Sequence, residues 1–241
     1  MSQLTGTGPA VVAQGLYEEN VVAQHNLGEL VHSNDGRAFR YCKAGGSALA
    51  AGKLQQSSAQ DTDDHNLAIA ASAIGATTIV TTGTVTVTAN QYADGFAVIA
   101  DDAGEGYMYK ISSHAAATAA VVTINLADDI VIALTTATTV DLVKNPYDGV
   151  IIAPTTISSS PAGVAVKALT ASYFGWLQVS GPCSVLIDQT GTVGSDVVAS
   201  NAVAGAVEVT ADGASEILSV VGTLMVAVTN AEYGLVNLRM L

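Results

Sequence analysis

The chain has 241 residues and a formal charge of −13, from 8 basic and 21 acidic side chains. That balance excludes recognition of nucleic acid through clustered phosphate contacts and docking on an anionic membrane surface, since both need grouped Lys and Arg. Charged residues are only 12% of the chain, about half the roughly 25% usual for a soluble domain, so the outer surface is Thr-rich and bland, or much of it is covered by neighbours.

The apolar fraction is mostly Ala and Val and aromatics are few. Small and β-branched side chains suit thin sheets better than a deep cavity lined with bulky groups. The length admits one large β domain or two small ones. The most membrane-like run, residues 115–126, is broken by Thr118, Thr123 and Asn125 and is too short to span a bilayer as a helix. Met1-Ser2-Gln3-Leu4 lacks the basic and apolar regions of a signal peptide, so synthesis in a cytosol is expected. In a reducing compartment Cys42 and Cys183 read as two unpaired thiols behaving as small apolar residues; a disulfide between them is the alternative.

Residues 1–24 mix Gly, Gln, Asn and small apolar residues without a capping pattern. They read as an extended arm, either a free polar tail or a segment ordered against a partner; the pairs Val11-Val12 and Val21-Val22 favour the second. Residues 25–76 read as a hairpin followed by loops that pack on the C-terminal domain or on a partner. Ser33-Asn34-Asp35-Gly36 is a hairpin turn, because Asn, Asp and Gly tolerate the positive φ that tight hairpins need. The return strand puts Phe39 and Tyr41 on one face and Arg40 and Cys42 on the other. Arg37, Arg40 and Lys43 make a local positive patch, which is either a contact with an acidic neighbour or a solvated strand face. Asp61-Thr62-Asp63-Asp64-His65-Asn66 is the densest acidic cluster, but the Gly and closing Glu of an EF-hand are missing, so it reads as a solvated loop.

From residue 77 strand signals come closely spaced. Residues 77–81 and 84–88 read as a hairpin across Thr82-Gly83. Residues 95–100 and 107–112 follow, joined by the turn Asp101-Asp102-Ala103-Gly104-Glu105-Gly106. Residues 115–120 read as a loop or a helical turn, and 121–126, 131–134 and 140–143 as strands. Such spacing predicts a sandwich or barrel rather than βαβ units. Residues 77–145 form one compact β domain, expected to face outward, and the loop Asn145-Pro146-Tyr147-Asp148-Gly149 separates it from a second β domain over 146–241. In that second domain Tyr173–Val179 alternates as a strand, with Phe174, Trp176 and Leu177 expected in the core. Gly181-Pro182 is read as turning the chain, since Pro lacks an N–H and fixes its φ, and 183–187 as running back as a second strand. A turn is expected at Asp212-Gly213 and a last strand at 233–238. The fold class is therefore all-β, a sandwich, jelly roll or barrel-like pair of domains with an N-terminal arm.

The sequence carries no phosphate-binding glycine loop, no HExxH, no CxxC and no GxSxG, and His25, His32, His65 and His114 have no ligand spacing. No catalytic, cofactor or metal residue is assigned. Asp101, Asp102 and Glu105 lie together, as the carboxylates of a glycoside hydrolase do, but Asp is also simply favoured in such turns.

Several stretches carry a resemblance. They are His25-Asn26-Leu27-Gly28, Asn34-Asp35-Gly36-Arg37-Ala38-Phe39-Arg40-Tyr41 with Gly45-Gly46, Ala93-Asp94-Gly95-Phe96 with Gly104-Glu105-Gly106-Tyr107-Met108-Tyr109-Lys110-Ile111, Val143-Lys144-Asn145-Pro146-Tyr147-Asp148-Gly149-Val150, Tyr173-Phe174-Gly175-Trp176-Leu177-Gln178 with Gly181-Pro182, and Glu232-Tyr233-Gly234-Leu235-Val236-Asn237-Leu238. Together they resemble the head-decoration, or capsid cement, proteins of tailed bacteriophages. The resemblance implies a structural virion protein on the outer capsid surface, made in the host cytoplasm, binding the major capsid protein and itself as a trimer or dimer, with no enzymatic activity. Val11, Val12, Val21, Val22, Arg37, Phe39, Arg40, Tyr41 and Lys43 are the expected partner contacts. Two other readings are a host-surface carbohydrate-binding module using Tyr107, Tyr109 and Asp101-Asp102, and a cell-wall hydrolase using the same acids.

Overall fold

The computed structural model describes residues 4–6, 14–83, 85–210 and 219–241. The described chain is built of strands and one 3-10 turn at Thr62–Asp64, which makes the fold all-β as the alternation predicts. In order the strands are β1 (Leu4–Gly6), β2 (Leu30–Ser33), β3 (Ala38–Ala44), β4 (Leu54–Gln56), β5 (Leu67–Ala68), β6 (Thr78–Val80), β7 (Val85–Val87), β8 (Phe96–Asp101), β9 (Met108–His114) and β10 (Ala117–Ala120). There follow β11 (Thr123–Leu126), β12 (Thr139–Val143), β13 (Asp148–Ile152), β14 (Pro161–Ala165), β15 (Phe174–Leu186), β16 (Asp196–Ala199), β17 (Val207–Val209), β18 (Gly222–Leu224) and β19 (Tyr233–Arg239). They fall into two compact units, one from Met1–Ala59 with Pro146–Leu241, the other from Gln60–Asn145. The expected turn at Asp212-Gly213 lies outside the described residues.

In the first unit, β3 pairs with β13, β13 with β4, β4 with β14, β14 with β15, and β15 again with β3. Five strands thus close on themselves, which leaves those edges satisfied. Four of them supply one packed cluster of mainly small residues, including Cys42, Ala44, Val150, Ala165 and Leu177. The composition is understandable from this, because a narrow ring of strands has room for Ala and Val but not for stacked aromatics. β15 runs on past the ring and pairs with β19 from Ser180↔Arg239 to Leu186↔Tyr233, and β18, β16 and β17 extend the sheet beyond it.

The Gly-Pro hairpin is not formed. Phe174 to Leu186 is one strand of 13 residues, running through Gly181-Pro182. The break is absorbed as a bulge: the register against β3 shifts between Gln178 and Ser180, and Gly181 takes φ +83°, which only glycine adopts at little cost. Pro182 is exposed. Buried Gln178 then repairs the ladder, its Nε2 donating to the carbonyls of Ser180 (3.1 Å), Gly181 (3.2 Å) and Pro182 (2.8 Å). Gln178→Leu keeps the volume and strands those carbonyls. It is expected to cost about 2 kcal/mol in urea denaturation; an unchanged midpoint would show that water replaces the amide.

Both faces of the first half of β15 are buried. Leu177 enters the ring cluster and Trp176 packs with Leu16, Val31, Phe39 and Tyr41. Trp176 and Leu177 are core as expected, with Phe174 partly buried against them. The Trp176 face is closed by the chain's own residues 14–20, not by a partner. The Trp176 indole donates to the Gln14 carbonyl (3.1 Å), Gln14 Nε2 donates to the Phe174 carbonyl (3.0 Å), and Tyr41 Oη donates to Gln14 Oε1 (2.6 Å). Asn20 bridges to Phe174, and the Glu19 carboxylate accepts the Thr170 N–H at 2.7 Å. The described part of the expected arm is therefore largely docked.

The second unit holds the six-stranded sheet β5-β12-β8-β9-β11-β6 and the pair β10-β7. Its core centres on Ile79, Tyr92, Ile99, Ile111, Ile124 and Val140. It begins at Gln60 rather than 77, because Leu67 and Ile69 belong to this core and β5 pairs with β12; the boundary after Asn145 is as expected. The strands at 78–80 and 85–87 do not form a hairpin: β6 pairs with β11 and β7 with β10. Residues 117–120 are accordingly strand, and 131–134 contribute only a bridge from Leu134 to Ser72.

Candidate partner-binding face

The hairpin β2–β3 forms on the predicted turn. Gly36 has φ +85°, its N–H donates to the Ser33 carbonyl (3.0 Å) and the Ser33 N–H to that of Arg37 (2.8 Å). Asp35 accepts the Arg37 backbone N–H at 3.2 Å and its Nε–H at 2.8 Å. Partial desolvation raises the Asp35 carboxyl, but the Arg37 N–H and guanidinium and the Ser33 hydroxyl hold it below its usual range.

The basic patch is internally partnered. Arg37 lies over the Phe39 ring (5.4 Å to its centre); Arg40 Nη1 donates to the Gly28 carbonyl (2.7 Å) and lies over Tyr147 (5.5 Å). Lys43 stands 4.0 Å from Asp148 and 5.7 Å from the centre of the Phe174 ring. All three stay partly exposed. Phe39 and Tyr41 are both fully buried, so they are core residues and not contacts. Phe39 and Tyr41 are inaccessible because residues 14–20, through Gln14 and Leu16, cover their face of the sheet. Val11 and Val12 lie outside the described residues. Val21 and Val22 are 61% and 63% exposed.

Beside the hairpin lies a groove of about 450 Å³ whose lining includes Tyr17, Arg37, Gly52, Gln178, Ser184 and Tyr233. Tyr17 is 61% and Tyr233 56% exposed. Gly52 has φ +69°, and a Cβ there would stand 2.6 Å from Tyr233 Cε1, so glycine is what lets that ring lie against the backbone. Sequence reasoning missed both tyrosines. The alternation of β19 points Tyr233 outward, but nothing local marks Gly52, 181 residues earlier in the chain, as its seat.

The other sequence candidates do not assemble into a site. Asp102 Oδ2 accepts the Thr135 hydroxyl (2.6 Å), which with the Ala103 N–H keeps its carboxyl below the usual range, while Asp101 Oδ1 accepts the Asp102 N–H (2.8 Å). These are turn contacts. Tyr109 is buried, its hydroxyl accepting the Val131 N–H (3.3 Å), so the carbohydrate platform expected of Tyr107 with Tyr109 is not formed. Within the acidic cluster Asp61, Asp63 and His65 are exposed, but Asp64 is buried against Tyr92, which the solvated-loop reading did not foresee. Among the described residues no three His, Cys, Asp or Glu side chains are placed to hold a metal ion. Cys42 and Cys183 are buried free thiols; burial pushes the Cys42 thiol up, and that of Cys183 to about 12. No protein-family model matches the sequence, and comparisons with curated proteins and with solved structures return no match.

Proposed function

We propose that the chain is a structural, non-catalytic protein that decorates the outer surface of a tailed-phage capsid, binding the major capsid protein and assembling with copies of itself. The observation that supports this best is the segment over residues 14–24. Gln14, Leu16 and Asn20 fasten it to the first unit, and it turns Tyr17, Val21 and Val22 out to solvent. An anchored segment that exposes neighbouring apolar side chains is a surface built to be covered. The acidic, charge-poor composition fits a protein that makes many weak contacts at once on a repeating shell.

The test is light scattering of the purified chain, alone and with expanded phage heads stripped of decoration protein. A dimer or trimer that co-sediments at a fixed ratio is expected, and the double change Val21→Asp and Val22→Asp is expected to weaken binding about tenfold or more. A monomer that stays in the supernatant would overturn the reading.

A further inference from the structure

We propose that the groove holding Tyr17 and Tyr233 is a binding site for a neutral pyranose, with the tyrosine rings taking the apolar face of the sugar and Arg37 and Ser184 taking its hydroxyls. The inference stands apart from capsid decoration, since it concerns a small ligand rather than a protein surface.

Three observations carry it. First, the unit buries Phe39, Tyr41 and Trp176 almost completely yet leaves Tyr17 and Tyr233 more than half exposed on one groove. An exposed ring forgoes the gain of burial, and at Tyr233 the backbone at Gly52 is shaped to seat it. Tyr is suited to this role because it joins an apolar ring to a polar tip. Second, the groove, at about 450 Å³, falls within the ~300–1,000 Å³ of small-ligand sites. Third, the polar groups are matched to hydroxyls. Arg37 spends its Nε–H on Asp35 and, among the described residues, makes no hydrogen bond through its terminal amino groups, which remain as donors. The Ser184 hydroxyl, exposed on the groove wall, can both donate and accept. A guanidinium donor and a hydroxyl lining one groove suit the hydroxyls of a sugar. Asp35 already balances the charge of Arg37, and the chain carries −13 overall, which disfavours an anionic ligand.

The experiment is ligand-observed saturation-transfer NMR on the full chain, with the methyl glycosides of glucose, galactose and mannose as probes at millimolar concentration and N-acetylneuraminic acid as the anionic comparison. Transfer to at least one hexoside is expected, with little to the acidic sugar. Tyr233→Ala is expected to lower the affinity at least tenfold with an unchanged melting temperature, while Tyr107→Ala, an exposed tyrosine of the other unit, leaves it unaltered. Should Tyr233→Ala disturb folding, amide shifts of the unaltered protein on titration with the bound hexoside replace it, and they are expected at Tyr17, Gly52 and Tyr233. Absence of transfer to all three hexosides, transfer that survives in both Tyr17→Ala and Tyr233→Ala, preference for the acidic sugar, or shifts confined elsewhere would each overturn the proposal.

Discussion

Trp176→Ala is expected to destabilise the first unit by about 3–5 kcal/mol, the usual range for emptying a large aromatic site in a core. The ring is fully buried, 4.9 Å from the Tyr41 ring and 5.0 Å from that of His25, and its N–H is one of the bonds that hold Gln14. Loss of the indole therefore both opens a cavity and releases the segment that covers it. Urea denaturation followed by circular dichroism measures the first effect, and limited proteolysis between residues 14 and 24 the second. Trp176→Phe separates them: it retains most of the ring and gives up the hydrogen bond, worth about 1 kcal/mol, so residues 14–20 loosen while the unit stays folded. A change below about 1 kcal/mol in Trp176→Ala would show that neighbouring rings collapse into the space.

If decoration works as proposed, the same substitution weakens binding to heads without touching an exposed residue. Tyr17, Val21 and Val22 are presented by the segment that Gln14, Leu16 and Asn20 tie down. A contact surface carried on an anchored strap depends on its anchors, because a released strap has to be ordered again on binding at the expense of conformational entropy.

What was legible in the sequence was mostly local. The turn Ser33-Asn34-Asp35-Gly36 announces itself because the residues that tolerate positive φ sit between two alternating runs, and β8 and β9 announce themselves for the same reason around Gly104 and Gly106. The boundary after Asn145 was visible as a polar loop. Gly181-Pro182 was misread because the same two residues serve a turn and a bulge equally well. What decides between them is a distant pairing, β19 along the second half of β15, and a side chain, Gln178, whose amide reaches the carbonyls that the bulge leaves free. The docked segment was invisible for a related reason. Gln14 is polar, and its burial makes sense only once the Trp176 indole, the Tyr41 hydroxyl and the Phe174 carbonyl converge on it. β5, two residues long, offers no periodicity at all, so the start of the second unit could not be found without its partner β12.

The second large effect is expected in the other unit, at Asp64 and Tyr92. Asp64 is 1% exposed; its Oδ2 accepts the Tyr92 hydroxyl, and its Oδ1 has no partner among the described residues. Burial raises the Asp64 carboxyl above its usual range, the Tyr92 hydroxyl opposes this, Asp61 and Asp63 add to the rise, and Lys144 opposes it. The Tyr92 hydroxyl is likewise pushed up, first by burial and then by its bond to Asp64, so it remains a donor at any ordinary pH. A carboxyl whose folded pKa lies above its unfolded one binds its proton more readily in the fold. Its contribution to stability is then fully present below the unfolded pKa and is lost as pH rises through the folded pKa. At neutral pH Asp64 is thus a net burden that Tyr92 relieves first and Lys144 to a lesser degree, and Tyr92→Phe, which leaves a buried carboxylate with no hydrogen-bond donor, is expected to cost about 3 kcal/mol or more. Asp64→Asn removes the charge but keeps an acceptor for the Tyr92 hydroxyl, so it is expected to leave the unit as stable or more so near pH 7, and the double variant to fall well short of the Tyr92→Phe loss. The pH dependence carries the same sign. Stability of the unaltered protein minus that of Asp64→Asn should increase as pH falls from neutral towards the unfolded carboxylate pKa of about 3.9. His114 does not confuse the comparison: its Nε2 accepts the Tyr92 N–H at 3.0 Å and its Nδ1–H donates to the Ala115 carbonyl at 2.9 Å, and both bonds are common to the two proteins. A difference that is flat with pH, or that changes in the opposite sense, would mean that water reaches Asp64 and that the Tyr92 bond is an ornament of the fold rather than a support.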